Sequence, residues 1–251
     1  MIGLTDRLTT LAQQINKGET MADIGTDHGF LPIYLMEHQI SPRVIMTDIS
    51  EKALSRAKHH GESIDGINPA DYRIGNGMEV LSPGEVDNIV IAGMGGILMT
   101  EILDYDLEKT RSFNKFVFQP RNHPEVLRIW LAEHGFDYLN EILVKEGKNI
   151  CEIIVASPNR PGCITASRCE PAQLGWPPKW PQQDFRWEVP PWYQEMNLHL
   201  AEEYLRRKQE KQQRILWAYG EGSHPDPDHI AQLKGRIAYL EELIENRGRV
   251  K

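Results

Sequence analysis

Over residues 1–157, short apolar runs of strand length alternate with segments whose apolar residues recur at helical spacing, and few folds accept that rhythm. Residues 4–15 read as an amphipathic helix, with Leu4, Leu8, Leu11 and Ile15 on one stripe. Residues 21–25 form a short strand entering a turn. A helix follows over 30–38, where Pro32 fits the first turn because its missing N–H has no partner there. Residues 44–48 are a second strand, and Ser50 starts a helix with Glu51 in its first turn. Further strands read at 72–74, 88–92 and 115–119, and a helix runs from Pro124 to His134, closed by Gly135. Residues 138–144 and 150–156 then read as two strands joined by a tight turn over 146–149. Such alternation predicts an α/β fold: a doubly wound, mostly parallel sheet of seven strands with helices on both faces. A hairpin at the end requires one strand there to run antiparallel.

Beyond residue 157 the character changes. Residues 158–191 hold eight of the 16 prolines, together with Trp176, Trp180 and Trp187, so this stretch reads as a linker without α-helix. Its tryptophans either pack onto the main domain or, less simply, stack on a base. Residues 192–251 return to helical spacing. One stripe carries Leu198, Ala201, Leu205, Ile215 and Tyr219; another carries Ile230, Leu233, Ile237, Leu240 and Ile244. The break at 220–225 (GEGSHP) makes an antiparallel hairpin of two helices. Three parts are therefore expected: 1–157, 158–191 and 192–251. No internal repeat is visible.

The formal net charge is −8, which by itself disfavours a polyanionic partner. Residues 192–251 nevertheless balance ten Lys/Arg against ten Asp/Glu, so the excess acid lies in the first 191 residues. Local basic faces matter more for nucleic acid than the sum. Cys151, Cys163 and Cys169 show no CxxC spacing, and free thiols in a cytoplasmic monomer are the expectation. No apolar run is long enough to cross a bilayer, and the first residues lack the layout of a secretory signal. The histidines, including His59-His60, have no metal-ligand spacing, so no metal is expected.

Five turns follow the strands, where a doubly wound sheet holds its ligands. The first is residues 23–29 (DIGTDHG). Gly25 and Gly29 allow a sharp turn and close approach of a ligand, while Asp27 stands where a GxGxxG dinucleotide motif would have glycine. A carboxylate there repels a diphosphate and suits the ammonium and sulfonium charges of S-adenosylmethionine; the plain alternative is a capping aspartate. Asp48, with Ile49 beside it, ends the second strand, where a carboxylate can accept from both ribose hydroxyls. Residues 75–77 (GNG) follow the third strand, and Asn76 and Gly77 suit the edge of an adenine, or merely a turn. After the fourth strand come Gly93, Met94, Gly95 and Gly96, which offer backbone groups and space, or a phosphate-cradling turn. Gln119 and Pro120 close the fifth strand on the same rim.

With these motifs in order, residues 1–157 resemble bacterial tRNA (adenine-22 N1) methyltransferases, through MADIGTDHGFLP at 21–32, IAGMGG at 91–96, FQP at 118–120 and CEIIVA at 151–156. The resemblance implies a Rossmann-like class I methyltransferase fold and S-adenosylmethionine as donor. It implies a donor site at Asp23, Gly25, Asp27, His28, Asp48, Gly93 and Met94, with Arg7 near the donor's carboxylate. Ile49, Asn76 and Gly77 join that site by position. Met94, Gly95, Gln119 and Pro120 fall on the acceptor side. His28 is either a catalytic histidine or, beside Asp27, packing against the donor. The C-terminal hairpin is similar in kind to that family's small coiled-coil domain. Two departures stand out: Asn76 replaces the usual aspartate of Gly-Asp-Gly, and the Pro/Trp-rich stretch exceeds the plainer connection expected.

The resemblance implies in-line methyl transfer to N1 of an adenine in tRNA. That nitrogen keeps its lone pair in the neutral ring, so no essential general base is expected. The base must leave its stack to be reached. Arg206, Arg207, Lys208, Lys211 and Arg214 are the expected phosphate contacts, or else a solvated helix face. The alternatives are a methyltransferase for a small molecule or a protein, and a non-catalytic RNA-binding protein with a degenerate pocket. An NAD-dependent dehydrogenase is disfavoured by Asp27 and by the late strand pair.

Overall fold

The computed structural model describes residues 3–62, 71–158, 177–220 and 226–247. Two compact units divide the chain, residues 1–182 and residues 183–251.

The first unit is built on a seven-stranded sheet. Strands β1 (Met21–Ile24), β2 (Val44–Asp48), β3 (Tyr72–Ile74), β4 (Asn88–Met94) and β5 (Lys115–Pro120) run parallel. β6 (Phe136–Glu146) and β7 (Asn149–Pro158) form the hairpin, and the spatial order is β3-β2-β1-β4-β5-β7-β6. β7 lies antiparallel between β5 and β6. The sheet is therefore mostly parallel with one reversed strand, as the sequence pattern requires. Both hairpin strands are longer than their apolar cores, leaving only Gly147 and Lys148 as the turn.

Central strands covered on both faces must be apolar throughout. Met21, Ala22, Ile45, Met46, Ile89, Val90, Ile91, Phe116, Val117 and Phe118 are all fully buried. The helices are α1 (Asp6–Ala12), α2 (Phe30–Glu37), α3 (Glu51–Gly61), α4 (Gly96–Asp104), α5 (Leu107–Thr110) and α6 (Pro124–Glu133). Thr5 caps α1 and Ser50 caps α3, each accepting from a backbone N–H three residues on. α1 is shorter than its apolar stripe: Leu11 and Ile15 are buried and Leu4 and Leu8 pack against the same core, but the chain leaves the helix at Gln13. Glu19 draws it into a turn by accepting from the Asn16 backbone N–H at 2.9 Å. α4 had no sequence signature because it is apolar on both faces, with Met99, Ile102 and Leu103 buried and Ile97 and Leu98 exposed.

At the edge of the sheet, Arg43 holds Asp71 at 2.8 Å and Glu85 at 3.0 Å, and Arg73 holds Glu85 at 2.7 Å. This cluster ties the three-residue β3 to its neighbours. The Arg73 guanidinium, offset by burial, holds the Glu85 carboxyl down to about 2. A depressed carboxylate stabilises the fold above its ordinary value of 4.5 and loses that contribution as pH falls toward 2. Glu85→Gln should therefore lower Tm at pH 7 and flatten the fall in Tm between pH 5 and pH 2; circular dichroism melts check both.

The second unit contains a 3-10 helix (Phe185–Glu188) and two long helices, α7 (Leu198–Gly220) and α8 (Pro227–Arg247). The Tyr219 and His229 rings meet at 4.6 Å, and Gln209 donates to Glu241 at 3.0 Å, so the helices run antiparallel. Leu205, Leu233, Leu240 and Leu243 are buried, whereas Leu198 and Ile215 of the expected stripe are exposed. Trp187 is buried and Trp180 is half-buried; Trp176, with Cys163 and Cys169, lies outside the described residues. No helix among the described residues is long and apolar enough to cross a membrane.

Candidate functional site at the carboxyl ends of the strands

Sheet order reverses between β1 and its two neighbours, and Ile24 at the end of β1 pairs with Thr47 of β2 and Ile91 of β4. Three strands thus end together around one crevice, and the turns that follow them carry the sequence-marked residues. The β1 turn begins at Gly25, whose φ of 77° is costly for other residues. A Cβ there would lie 2.1 Å from Cε of Met94, so the β1 and β4 turns touch at this point.

Asp23 sits at the mouth of β1 and accepts from the Thr26 hydroxyl. Burial pushes its carboxyl up to about 6; the Thr26 hydroxyl opposes that, the Asp48 charge adds to it and the Arg7 charge opposes it. Two carboxylates in one crevice favour a cation and repel a diphosphate. A raised carboxyl makes the folded chain bind more protons than the unfolded chain between pH 3.8 and 6, so Asp23 costs stability progressively as pH rises through that window. Asp23→Asn should stabilise the ligand-free protein by about 1–3 kcal/mol at pH 7 and by little at pH 4; denaturant melts at the two pH values test the difference.

Asp27 is on the same turn, but its carboxylate is engaged by Arg56 of α3 and by His28 Nε2 at 3.3 Å. The negative charge expected to face a ligand is thus partly answered from within the protein, and Asp23 with Asp48 holds the deeper acidic position. Arg56 was not legible in the sequence, since an arginine in an exposed helix pattern gives no sign of a partner 29 residues away. His28 stacks on Phe30 at 5.2 Å and faces His60 at 5.8 Å. His60 in turn places Nδ1 2.9 Å from the His28 carbonyl. The histidine is one ring of an aromatic ladder. Among the described residues no group of three or more His, Cys, Asp or Glu side chains is placed to hold a metal ion.

Asp48 closes β2 and accepts from the Ser50 backbone N–H at 2.7 Å. Ile49 beside it is 73 % exposed, an apolar surface without a cover. Next to it stands the β3 turn, where Asn76 donates to Glu79 at 3.0 Å and Gly77 packs on Ile102.

β4 runs two residues further than its apolar run, because a bulge at Gly93 shifts the register between Ala92 and Met94. A Cβ at Gly93 would meet nothing within 4 Å, so this position opens on space. The next two glycines are packed instead: a Cβ at Gly95 would lie 2.6 Å from Oδ1 of Asn122, and one at Gly96 would lie 2.0 Å from the His123 carbonyl. Backbone bonds lace the two turns, Arg121 N–H to the Met94 carbonyl at 2.7 Å and Gly96 N–H to the Asn122 carbonyl at 2.9 Å. On the same rim Gln119 is buried and accepts from Arg7 Nη1 at 3.3 Å, while its amide donates to the Pro120 carbonyl at 3.1 Å. Arg7 also donates to Glu146 at 2.9 Å. α1, β5 and β6 are thereby clasped over one side of the crevice, and Glu146 is the member that sequence reasoning missed. The turns that carry the sequence-marked residues thus adjoin one another at the strand ends, β1 against β2 and β4, β2 against β3, and β4 against β5. The basic residues of α7 belong to the other unit.

Known proteins supply independent comparisons. The chain is 35 % identical over 154 residues to the tRNA (adenine(22)-N(1))-methyltransferase of Bacillus subtilis, a match covering 61 % of this chain and 64 % of that one. The match thus spans less than two thirds of that relative's length. The crystal structure of the Bacillus subtilis m1A22 tRNA methyltransferase TrmK superposes with a TM-score of 0.73 at 25 % identity, over 100 % of this chain and 99 % of that one. Streptococcus pneumoniae Sp1610, solved in complex with S-adenosyl-L-methionine, superposes with a TM-score of 0.72 at 26 % identity, over 97 % and 100 %. The family model described as "Methyltransferase domain" matches residues 4–154, more than half of the sequence and all of the crevice described above, and the chain belongs to that family.

Proposed function

We propose that this protein transfers the methyl group of S-adenosylmethionine to N1 of an adenine, at position 22, in bacterial tRNA. The observation that carries the reading is the acidic crevice at the strand ends, where Asp23 is held near Asp48 beside the glycine turn of β1. The likeness to an m1A22 tRNA methyltransferase over nearly the whole of both chains supports the acceptor.

The residues present fit the donor. Gly25 keeps the crevice floor clear of a Cβ, and Asp48 offers carboxylate oxygens to ribose hydroxyls. Exposed Ile49 suits one face of an adenine ring, and Asn76 and Gly77 suit its edge. Asp23 and Asp27 bias the site toward a cationic ligand, and Arg7 is the cation for its carboxylate end. When bound, S-adenosylmethionine supplies both an electrophilic methyl group and a neutral thioether leaving group.

The chain's own work is then orientation and exclusion of water. The laced turns at Met94–Gly95 and Gln119–Pro120 form the acceptor rim, and the open position at Gly93 leaves room for a flat base. Gln119 is held by Arg7 and can direct a base edge without taking a proton. Because N1 already has its lone pair, no side chain need remove a proton before transfer. Reaching that edge requires the adenine to be unstacked from the RNA.

For the RNA itself we assign α7. Arg206 and Arg207 are paired with Glu202 at 2.7 Å and Glu203 at 2.6 Å, and Lys208 lies over the Tyr204 ring at 5.0 Å. Lys211 and Arg214 have no carboxylate partner among the described residues and stand exposed, with Trp217 72 % exposed one turn beyond. Phosphate contacts from these cations, with an aromatic face for an unpaired base, are the means by which proteins grip RNA.

Incubating the protein with labelled donor and unmodified bacterial tRNA, then digesting to nucleosides, tests the reading. Labelled 1-methyladenosine is the expected product. Donor binding without that product would move the acceptor to a small molecule or a protein.

A further inference from the structure

Beside the crevice, the turn after β3 and one side of α4 enclose a cleft of about 200 Å³, lined in part by Asn76, Gly77, Glu79, Leu98, Ile102 and Tyr105. This turn is fastened to the proposed ribose site, because the Gly75 N–H donates to the Asp48 carbonyl at 3.0 Å. Within the turn, Asn76 Nδ2 donates to Glu79 Oε1 at 3.0 Å, and the Glu79 backbone N–H donates to the Asn76 carbonyl at 3.1 Å. An ionised carboxylate accepts and does not donate, so only the NH2 end of the Asn76 amide can face Glu79. The other end, Oδ1, is the group left to a ligand.

We propose that Glu79 is a positioning residue: it fixes the Asn76 amide as an acceptor, so that the donor site selects a 6-amino purine over a 6-oxo purine. This rests on the donor reading above. An unrestrained amide can present either its oxygen or its NH2 and so suits both bases. A fixed oxygen accepts from the amino group of adenine but meets the oxygen of hypoxanthine lone pair to lone pair. A lone carboxylate at position 76 would discriminate without help. The Asn76–Glu79 pair achieves the same polarity with two residues.

Calorimetry with S-adenosylhomocysteine and S-inosylhomocysteine tests this on the wild type, Glu79→Gln, Asn76→Asp and the double variant. The wild type should prefer the adenosyl compound by about a hundredfold, and Glu79→Gln should reduce that preference by about tenfold, since glutamine can pair with either end of the amide. Glu79 is exposed, so Tm should not change. In the Asn76→Asp background, Glu79→Gln should leave the preference unaltered, because a carboxylate at 76 needs no orienting. An unchanged preference in Glu79→Gln would overturn the proposal, and so would an equal fall in both backgrounds, which would make Glu79 a support of the turn and nothing more. Failure of the wild type to bind S-adenosylhomocysteine at all would overturn the donor reading itself, and this proposal with it.

Discussion

Arg128→Met should destabilise the first unit by about 3–5 kcal/mol, the largest effect expected of any single substitution here. Arg128 is fully buried on α6, and its Nη2 holds Glu141 of β6 at 2.5 Å and also pairs with Glu152 of β7. Its guanidinium fork answers two carboxylates that are nearly inaccessible to water. Methionine fills a similar volume but leaves both acids uncompensated in a medium that solvates charge poorly. Burial pushes the Glu141 carboxyl up to about 6 even beside the guanidinium. Without Arg128 the Glu141 carboxyl should rise further, so the loss should be larger at pH 8 than at pH 5, where a proton neutralises it. Urea melts of the variant at the two pH values check size and sign together. Arg128→Lys, which keeps the charge and loses the fork, should fall between. A loss below about 1 kcal/mol at pH 8 would mean that water reaches the trio.

Asp48→Ala should weaken S-adenosylmethionine binding by about thirty- to a hundredfold, since two charge-assisted hydrogen bonds to ribose go with one side chain. Its cost to the fold should be small: among the described residues the carboxylate's hydrogen-bond partner is the Ser50 backbone N–H, which is exposed and can turn to water. Asp48→Asn keeps an acceptor and should lose less. The substitution carries a second signature. The Asp48 charge helps to raise Asp23, so the Asp23 carboxyl should titrate below its present value of about 6 in the variant. Calorimetry measures the first effect and carbon-detected NMR titration the second. Donor affinity within twofold of wild type would place the ribose elsewhere.

The parts of this molecule written in local patterns were legible from the sequence. β2 and β3 lie where the sequence placed them, and β1 and β5 do so to within a residue; in β1, β2 and β5 the signal is an apolar run carried by consecutive buried side chains. The reversed β7 followed from two adjacent strands and a turn too short for a crossover. Most of the residues the sequence marked as a site lie at or just after strand ends, whereas Arg7 comes from α1 and Glu146 from the end of β6. What escaped was the wiring between distant segments. Nothing near Arg56 points to Asp27, nothing near Arg7 points to Gln119 and Glu146, and the partners of Arg128 are 13 and 24 residues away on two other elements. α4 escaped for a different reason: apolar on both sides, it has no period to detect. Arg206 and Arg207, expected from the sequence as phosphate contacts, pair with glutamates one turn earlier at i,i+4 spacing, which moves the weight of the proposed RNA contacts toward Lys211 and Arg214.

The central claim, donor-dependent methylation of one adenine edge in tRNA, meets its most direct test in two transcripts of the same bacterial tRNA, one with adenine at position 22 and one with uridine there. Each is incubated with the protein and tritiated S-adenosylmethionine, and reverse transcription then maps the product. Label in the first transcript alone, with extension halting at position 22, is the predicted result. Equal label in both transcripts, or none in either while the donor binds, would contradict it.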